Sequence, residues 1–280
     1  MSDLYVIKAS GDRVLFDQDK LIRSLDKAGA GQDIIAEVLA GLEDQLHDDI
    51  TTRKIYRLAY RLLHKLSKIG AGRYKLKEAI FELGPSGYPF EIFVGELLKN
   101  QGSNVEVGII VQGKCVKHEV DVVAENEHNH FIVECKFHSS PSKKSNVVVP
   151  LYIHSRFRDI IATMNNLPGY NTKLHQSWLV TNTRFTTDAI DYGTCSGMNM
   201  ISWDFPHDSS LSKRVSMSGI RPITSLSCLK KAEKQKLMAM GIVTCNVLLE
   251  HRNDLIELGF SEKRVNNVFR QAEDIINQTQ

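Results

Sequence analysis

Two acidic residues and a lysine, Asp121, Glu134 and Lys136, form the pattern in this sequence that is best suited to catalysis. Residues 118–124 and 131–137 alternate and are rich in β-branched side chains, and the polar run between them is typical of a turn. Strand side chains alternate between the two faces of a sheet, so Glu134 and Lys136 share one face. The sequence therefore predicts a hairpin that brings Asp121, on the partner strand, to the same neighbourhood.

Such a group can bind a divalent metal ion. Mg²⁺ or Mn²⁺ prefers oxygen ligands, which Asp121 and Glu134 would supply together with the backbone carbonyl of Cys135. Lys136 would then orient or deprotonate an attacking water, or stabilise charge on a phosphate. The alternative is a surface hairpin whose acid–lysine pair is solvated, and the residues alone leave both open. The opposite face of the second strand is expected to enter a core through Phe131, Val133, Cys135 and Phe137.

The order Asp121, then Glu134-Cys135-Lys136, resembles the core of PD-(D/E)XK nucleases, and in particular the Mrr-like branch of restriction endonucleases. The resemblance covers about residues 88–205. It implies a restriction-endonuclease-like mixed sheet flanked by helices, and metal-dependent hydrolysis of phosphodiester bonds in DNA.

Neighbouring segments fit this resemblance. Residues 88–98 have the pattern of the helix that precedes the core strands, and Glu91 occupies the place of an acidic helix residue that assists the metal shell. Residues 178–182 have the pattern of a later strand, residues 185–190 of the helix that follows it, and residues 200–203 of the next strand.

The first third of the chain has a different pattern. Residues 4–8 and 13–16 alternate as two strands around a turn, and Asp17 is placed to cap the helix that follows. Hydrophobic spacing predicts helices over residues 18–28, 33–46, 53–69 and 74–83. A plain helical bundle with a hairpin lid is also compatible with this pattern.

This segment resembles the ATP-cone, a small nucleotide-sensing domain, through its Val-x-Lys strand, its turn and the Phe-Asp-x-x-Lys-Leu that opens a helix. The resemblance covers residue 4 to about residue 84 and implies that ATP or dATP binds as an allosteric ligand. It implies phosphate contacts from Lys8, Arg13 and Lys20. It also implies base and ribose contacts from Val6, Leu21, Thr52 and Ile55.

The last part of the chain opens with a polar connector that begins at residues 209–213 and contains Ser216, Ser218 and Gly219. Helical patterns punctuated by glycine follow from Leu226. Short helices joined at Gly-hydrophobic corners resemble helix-hairpin-helix domains, which contact the DNA backbone through such corners. A small helical module for packing or dimerisation fits the same pattern equally well.

The charge balance argues against binding to DNA by bulk electrostatics. The chain has 35 basic and 33 acidic residues, a formal net charge of +2. Salt-sensitive phosphate contacts would therefore be local. Candidates are Lys143 and Lys144, which solvation explains equally well, and Arg156 and Arg158 on the next predicted helix.

Composition excludes several protein classes. No apolar run approaches the ~20 residues of a membrane helix, and the N-terminus does not have the pattern of a signal peptide. The five cysteines have neither zinc-site spacing nor a disulfide framework. A reducing cytoplasm is the expected location.

Together these observations predict an α/β (α+β) chain in three parts: an ATP-cone-like domain at 1–86, an Mrr-like nuclease domain at 87–208, and a linker with a helical domain at 209–280. The expected function is a nucleotide-regulated, Mg²⁺- or Mn²⁺-dependent DNA endonuclease in restriction or defence, acting as a homo-oligomer. The alternatives are a nucleotide-sensing DNA-binding regulator with an inactive nuclease fold, and a repair or recombination nuclease.

Overall fold

The computed structural model describes residues 4–8, 10–28 and 30–277, without the side chains of residues 27 and 68–73. It is a mixed α/β protein with a central mixed sheet flanked by helices and a helical C-terminal region, as the sequence predicts. The chain forms two compact units, Met1–Glu78 and Ala79–Gln280.

The first unit contains a three-stranded sheet in the order β2-β1-β3. Strands β1 (Tyr5–Ile7) and β2 (Arg13–Leu15) are antiparallel, and β3 (Ile50–Thr51) runs parallel to β1. The helices of this part of the chain are α1 (Gln18–Lys27), α2 (Gln32–Glu43), α3 (Thr52–Leu66) and α4 (Lys68–Phe81). The four helices predicted from hydrophobic spacing are confirmed, with ends that agree to within six residues.

Side-chain caps explain where two of these helices begin. The Asp17 carboxylate accepts a hydrogen bond from the backbone N–H of Lys20 at 3.1 Å, which satisfies one of the unpaired amides of the first turn. Thr51 caps α3 in the same way, through the N–H of Lys54 at 3.2 Å. The apolar faces meet in one core that includes the fully buried Leu25.

The second unit contains a five-stranded sheet in the order β10-β8-β6-β5-β4. Strands β4 (Asn104–Gln112), β5 (Lys117–Glu125) and β6 (Asn129–Lys136) form an antiparallel meander. Strands β8 (Leu174–Thr181) and β10 (Asn199–Ile201) extend it in parallel with β6. A separate parallel pair is formed by β7 (Lys144–Ser145) and β9 (Arg184–Phe185).

Helices cover both faces of this sheet. Ile132 of β6 packs with Ile160 of α6 (Val148–Met164) on one face. On the other face, Gly95 of α5 (Tyr88–Lys99) lies against Val122 of β5. Consequently the face that carries Glu134 is covered as well as the opposite apolar face. A third helix, α7 (Thr187–Cys195), follows β9 and is capped by Thr186.

The C-terminal region is helical from residue 211 onward. Its helices are α8 (Leu211–Ser218), α9 (Lys231–Ala239), α10 (Cys245–Leu248), α11 (Arg252–Glu257) and α12 (Glu262–Asn277), with a 3-10 turn at Ile223–Ser225. The prediction of a polar connector beginning at 209–213 is wrong. Leu211 and Val215, one helical turn apart, are both buried, and their burial stabilises α8 in spite of its serines.

This region packs within the second unit against the segment that begins at residue 79. The Thr224 hydroxyl donates to the carbonyl of Ala79 at 2.6 Å. The ammonium of Lys234 donates to the carbonyl of Thr224 at 2.6 Å and lies 3.3 Å from the carboxylate of Glu82. These bonds join α9 to the end of α4.

The described residues include no helix that is both long and apolar enough to cross a membrane. All five cysteines are free thiols in this structure.

Candidate active site

The centre of the candidate site is Asp121 on β5, beside the neighbouring strand β6. Regular pairing between these strands runs from Glu125↔His130 to Val122↔Val133. One residue beyond that ladder, the Asp121 carboxylate accepts a hydrogen bond from the backbone N–H of Cys135 at 2.7 Å. The side chain thus takes the place of a ladder carbonyl and is fixed next to Glu134.

Glu134 is bound to an arginine. Its Oε1 lies 2.7 Å from Nη1 of Arg156 on α6, and the two side chains are 9% and 14% exposed. The other terminal nitrogen of Arg156 donates to the backbone carbonyl of Glu119. The guanidinium therefore bridges β5 and β6 at the position of the candidate metal ligand.

Burial shifts the pKa values of all three carboxylates of this site upward. Burial raises the pKa of Glu134 to about 8, and the charge of Asp121 adds to the increase against the opposing effect of Arg156. Burial also raises the pKa of Glu91 to about 7, with contributions from Asp121 and Glu119. The pKa of Asp121 is raised by burial, while its hydrogen bond from Cys135 acts in the opposite direction. Raised pKa values with mutual charge effects show that the three carboxylates share one environment.

The donor types fit a hard divalent cation. Asp121, Glu134 and Glu91 supply carboxylate oxygens, and the carbonyl of Cys135 is the further oxygen that the sequence predicts. Among the described residues, however, no three His, Cys, Asp or Glu side chains converge closely enough to hold a metal ion. The cation that Glu134 binds in this structure is the guanidinium of Arg156.

Lys136 ends β6, two residues beyond Glu134, and its side chain is exposed. The backbone there is fixed because the hydroxyl of Thr181 donates to the Lys136 carbonyl at 2.7 Å. The flexible ammonium group of Lys136 thus begins from a rigid point on the central strand.

The other cationic candidates differ in accessibility. Lys143, Lys144 and Arg158 are exposed, as a phosphate contact requires. His138, which shares the strand period of Lys136, is buried, and its Nε2 lies 2.9 Å from the hydroxyl of Ser145. It therefore fixes the strand end to β7.

Sequence reasoning missed the pairing of Arg156 with Glu134, because it placed Arg156 only as a candidate phosphate contact. It also missed Asp159, three residues further along α6. The Asp159 carboxylate lies 2.8 Å from Nε2 of His118 and accepts the backbone N–H of Cys115 at 2.9 Å. The i, i+3 spacing puts Arg156 and Asp159 on one helix face, but it does not identify the residues that they contact.

In the first unit, three of the residues predicted to contact phosphate or ribose lie near the ends of the parallel strands. Lys8 follows β1, Thr52 follows β3 as the first residue of α3, and both side chains are exposed. Arg13 lies opposite Ile7 in the β1–β2 ladder. Its guanidinium is bound to two carboxylates, those of Asp48 at 2.9 Å and Asp49 at 2.6 Å.

The remaining predicted nucleotide contacts lie elsewhere in the unit. Val6, Leu21 and Ile55 are buried members of the core, so they lie beneath the strand ends and helix starts that carry the polar candidates. Lys20 is exposed on α1 and pairs with Asp17 at 3.0 Å. Arg13 and Lys20 would have to exchange these carboxylates for phosphate oxygens on nucleotide binding.

Comparison with protein-family models gives two matches. The ATP cone domain matches residues 4–76, which confirms the assignment of the N-terminal domain. The model described as AF1548-like, C-terminal, matches residues 222–276.

Similar proteins were found among both curated sequences and solved structures. Transcriptional repressor NrdR of Brucella ovis is 30% identical over 115 residues, 38% of this chain and 71% of the repressor, and NrdR of Brucella canis matches equally. An uncharacterized protein of Archaeoglobus fulgidus is 31% identical over 184 residues, 65% of this chain and 99% of that protein. The crystal structure of AF1548, a protein of unknown function, has a TM-score of 0.56 and 30% identity, and the match covers 69% of this chain and 99% of that one. The chain therefore belongs to the AF1548-like family and carries an ATP-cone domain at its N-terminus.

Proposed function

We propose that this protein is a divalent-metal-dependent DNA endonuclease whose activity responds to ATP or dATP. The observation that carries the proposal is the group formed by Asp121, Glu134 and Glu91, which share one partly buried environment beside Lys136. Clusters of carboxylates with raised pKa values are typical of sites that bind cations or transfer protons. The Mrr-like resemblance of the motif gives this group its proposed reaction.

Each residue has a distinct proposed role. Asp121, Glu134 and the carbonyl of Cys135 would hold Mg²⁺ or Mn²⁺, and Glu91 would assist. The bound ion would lower the pKa of a water and stabilise charge on the scissile phosphate. Lys136 orients or deprotonates the attacking water from the end of β6.

The ATP-cone domain supports regulation by a nucleotide. Lys8 and Thr52 lie at the ends of adjacent parallel strands, and Thr52 opens α3, whose N-terminal amides favour an anion. We propose that ATP or dATP bound there changes the access to the nuclease site, through a change in homo-oligomer state. Such coupling requires that the nucleotide bind the two states with different affinity.

The biological setting is proposed from the motif alone. The Mrr-like resemblance favours restriction of foreign DNA, and the same chemistry would serve a nuclease of repair or recombination.

A second candidate is a nucleotide-sensing, DNA-binding regulator with an inactive nuclease fold. The similarity of the N-terminal part to the NrdR repressors favours it. The pairing of Glu134 with Arg156 is also compatible with it, because a permanently bound guanidinium would block the metal.

The deciding experiment is cleavage of supercoiled plasmid with Mg²⁺ or Mn²⁺, with and without ATP or dATP. The wild type is compared with Asp121→Asn and with Asp191→Asn, a control that changes an exposed carboxylate on α7. Cleavage that Asp121→Asn alone abolishes supports the nuclease. DNA retention without cleavage under every condition would instead support the regulator.

A further inference from the structure

We propose that Arg156 is the internal counter-cation of the carboxylate site, which holds Glu134 in the metal-free protein and must release it when a metal ion binds. Arg156 would thereby set the metal affinity. This inference rests on the proposed function, because it concerns the same site. It makes Arg156 a positioning residue and not a group that reacts with the substrate.

The contact is specific enough to compete with a metal. Nη1 of Arg156 lies 2.7 Å from Oε1 of Glu134, and both side chains are largely withdrawn from solvent. The second terminal nitrogen is engaged by the carbonyl of Glu119, so the planar guanidinium is fixed at two points. Solvent screens the attraction within such a pair less than it screens an exposed ion pair.

Charge explains why an arginine is needed there. Asp121 and Glu134 are adjacent, Glu91 is close enough to interact with both, and all three are withdrawn from water to different degrees. A partly buried carboxylate without a cation is unfavourable. Arg156 supplies a cation from within the protein, and a bound metal would supply a stronger one.

Arg156 and a metal ion would compete for the same oxygen of Glu134. This oxygen accepts a hydrogen bond from the guanidinium at 2.7 Å and is not directed toward the other carboxylates. The described residues show no preformed set of three metal ligands. Displacement of Arg156 would free Glu134 to turn toward Asp121.

The surroundings give the displaced side chain a place to move. Tyr152 precedes Arg156 by one turn of α6 and is 62% exposed. Its ring centroid already lies 5.4 Å from the guanidinium carbon. A cation that leaves Glu134 can therefore stack on this ring at the protein surface, where its charge is solvated.

The test measures binding of Mn²⁺ alone by calorimetry, without DNA. The proteins are the full-length wild type, Arg156→Met, Arg156→Lys, Asp121→Asn and Arg158→Met. Arg158 lies on the same helix and is exposed, so its replacement removes the same charge without touching Glu134. Thermal unfolding with and without Mn²⁺ checks that each variant is folded.

We expect Arg156→Met to bind Mn²⁺ about tenfold more tightly than the wild type, because the metal no longer displaces a cation. Arg156→Lys should lie between the two, and Arg158→Met should match the wild type. Unchanged or weaker binding in folded Arg156→Met, while the wild type binds and Asp121→Asn does not, would overturn the role of Arg156 alone. Wild-type binding that Asp121→Asn leaves unchanged would overturn the metal site, and with it both proposals. If Arg156→Met is unfolded, the decision passes to Arg156→Lys, for which tighter binding supports the proposal and equal or weaker binding overturns it.

Discussion

The Asp121 carboxylate accepts the backbone N–H of Cys135 at 2.7 Å, so a motif side chain replaces a backbone acceptor between two strands. This bond gives Asp121 a structural role besides its proposed chemical one. Substitutions at this position must therefore be chosen to separate the two roles.

Asp121→Asn should fold with nearly wild-type stability, because the asparagine Oδ1 can still accept the N–H of Cys135. Asp121→Ala should lose about 1–2 kcal/mol of the free energy of unfolding, because that buried N–H loses its partner. Both variants should lose cleavage. Urea unfolding and plasmid cleavage measure the two effects, and cleavage retained by Asp121→Asn would remove Asp121 from the metal site.

Lys136→Met should reduce the cleavage rate by about 10²-fold or more, since positioned proton transfer typically contributes that much. Binding of Mn²⁺ should be retained, because the ammonium is not a ligand. Lys99→Met, which changes an exposed lysine at the end of α5, is the matched control. Equal rates for the two variants would show that Lys136 is only a solvated lysine.

Glu91→Gln should stabilise the protein at neutral and alkaline pH but not in acid. The pKa of Glu91 in the folded protein is about 7, above its ordinary 4.5, because the folded state resists ionisation of this carboxyl. The free energy of unfolding therefore falls as the pH rises from 4.5 to 7. Glutamine avoids this loss, and the gain should reach ~1 kcal/mol above pH 7 after solvent screening is considered. Denaturant unfolding from pH 4 to pH 9 tests the slope. Glu96→Gln on the same helix should not reproduce it.

Lys8→Ala should weaken ATP or dATP binding by about tenfold, because a charge-assisted contact to phosphate is lost. Arg61→Ala changes an exposed cation further along α3 and should leave binding unchanged. Titration with a fluorescent ATP analogue compares the affinities. Wild-type affinity in Lys8→Ala would place the phosphates elsewhere in the cone.

Lys234→Met should lower the free energy of unfolding of the second unit by about 1–3 kcal/mol, since the buried carbonyl of Thr224 loses its donor. Lys236→Met on the same helix changes an exposed lysine and should have little effect. Urea titration measures both. A negligible loss in Lys234→Met would mean that α9 is held by its apolar contacts alone.

Much of the fold could be predicted from the sequence because local patterns were strong. The cap at Asp17 predicts the observed start of α1, and alternation along residues 118–124 and 131–137 predicts the strands observed at Lys117–Glu125 and Asn129–Lys136. Helix α8 was missed because its serines have weak helical preference, and the burial of Leu211 and Val215 outweighs that preference.

The candidate site was predicted only in part, because strand periodicity does not describe tertiary contacts. Periodicity predicts that Asp121 and Glu134 meet, because both lie on neighbouring strands. It does not predict Arg156, since this residue reaches Glu134 from a helix 22 positions later through tertiary packing that has no short-range signal. The burial of Val6, Leu21 and Ile55 likewise depends on the assembled core of the first unit.

Gly108, with its φ of 65°, has a consequence for the backbone around Asp121. Regular pairing of β4 with β5 passes from Val107↔Val122 to Ile109↔Val120, so the interruption at Gly108 lies across from Asp121. On its other side, the ladder with β6 has already stopped at Val122. Amide hydrogen exchange within the centre of this sheet should therefore be fastest at Gly108 and Asp121, where regular pairing is interrupted. The protein combines a rigid sheet with a short compliant segment, which can adjust to a ligand without loss of strand register.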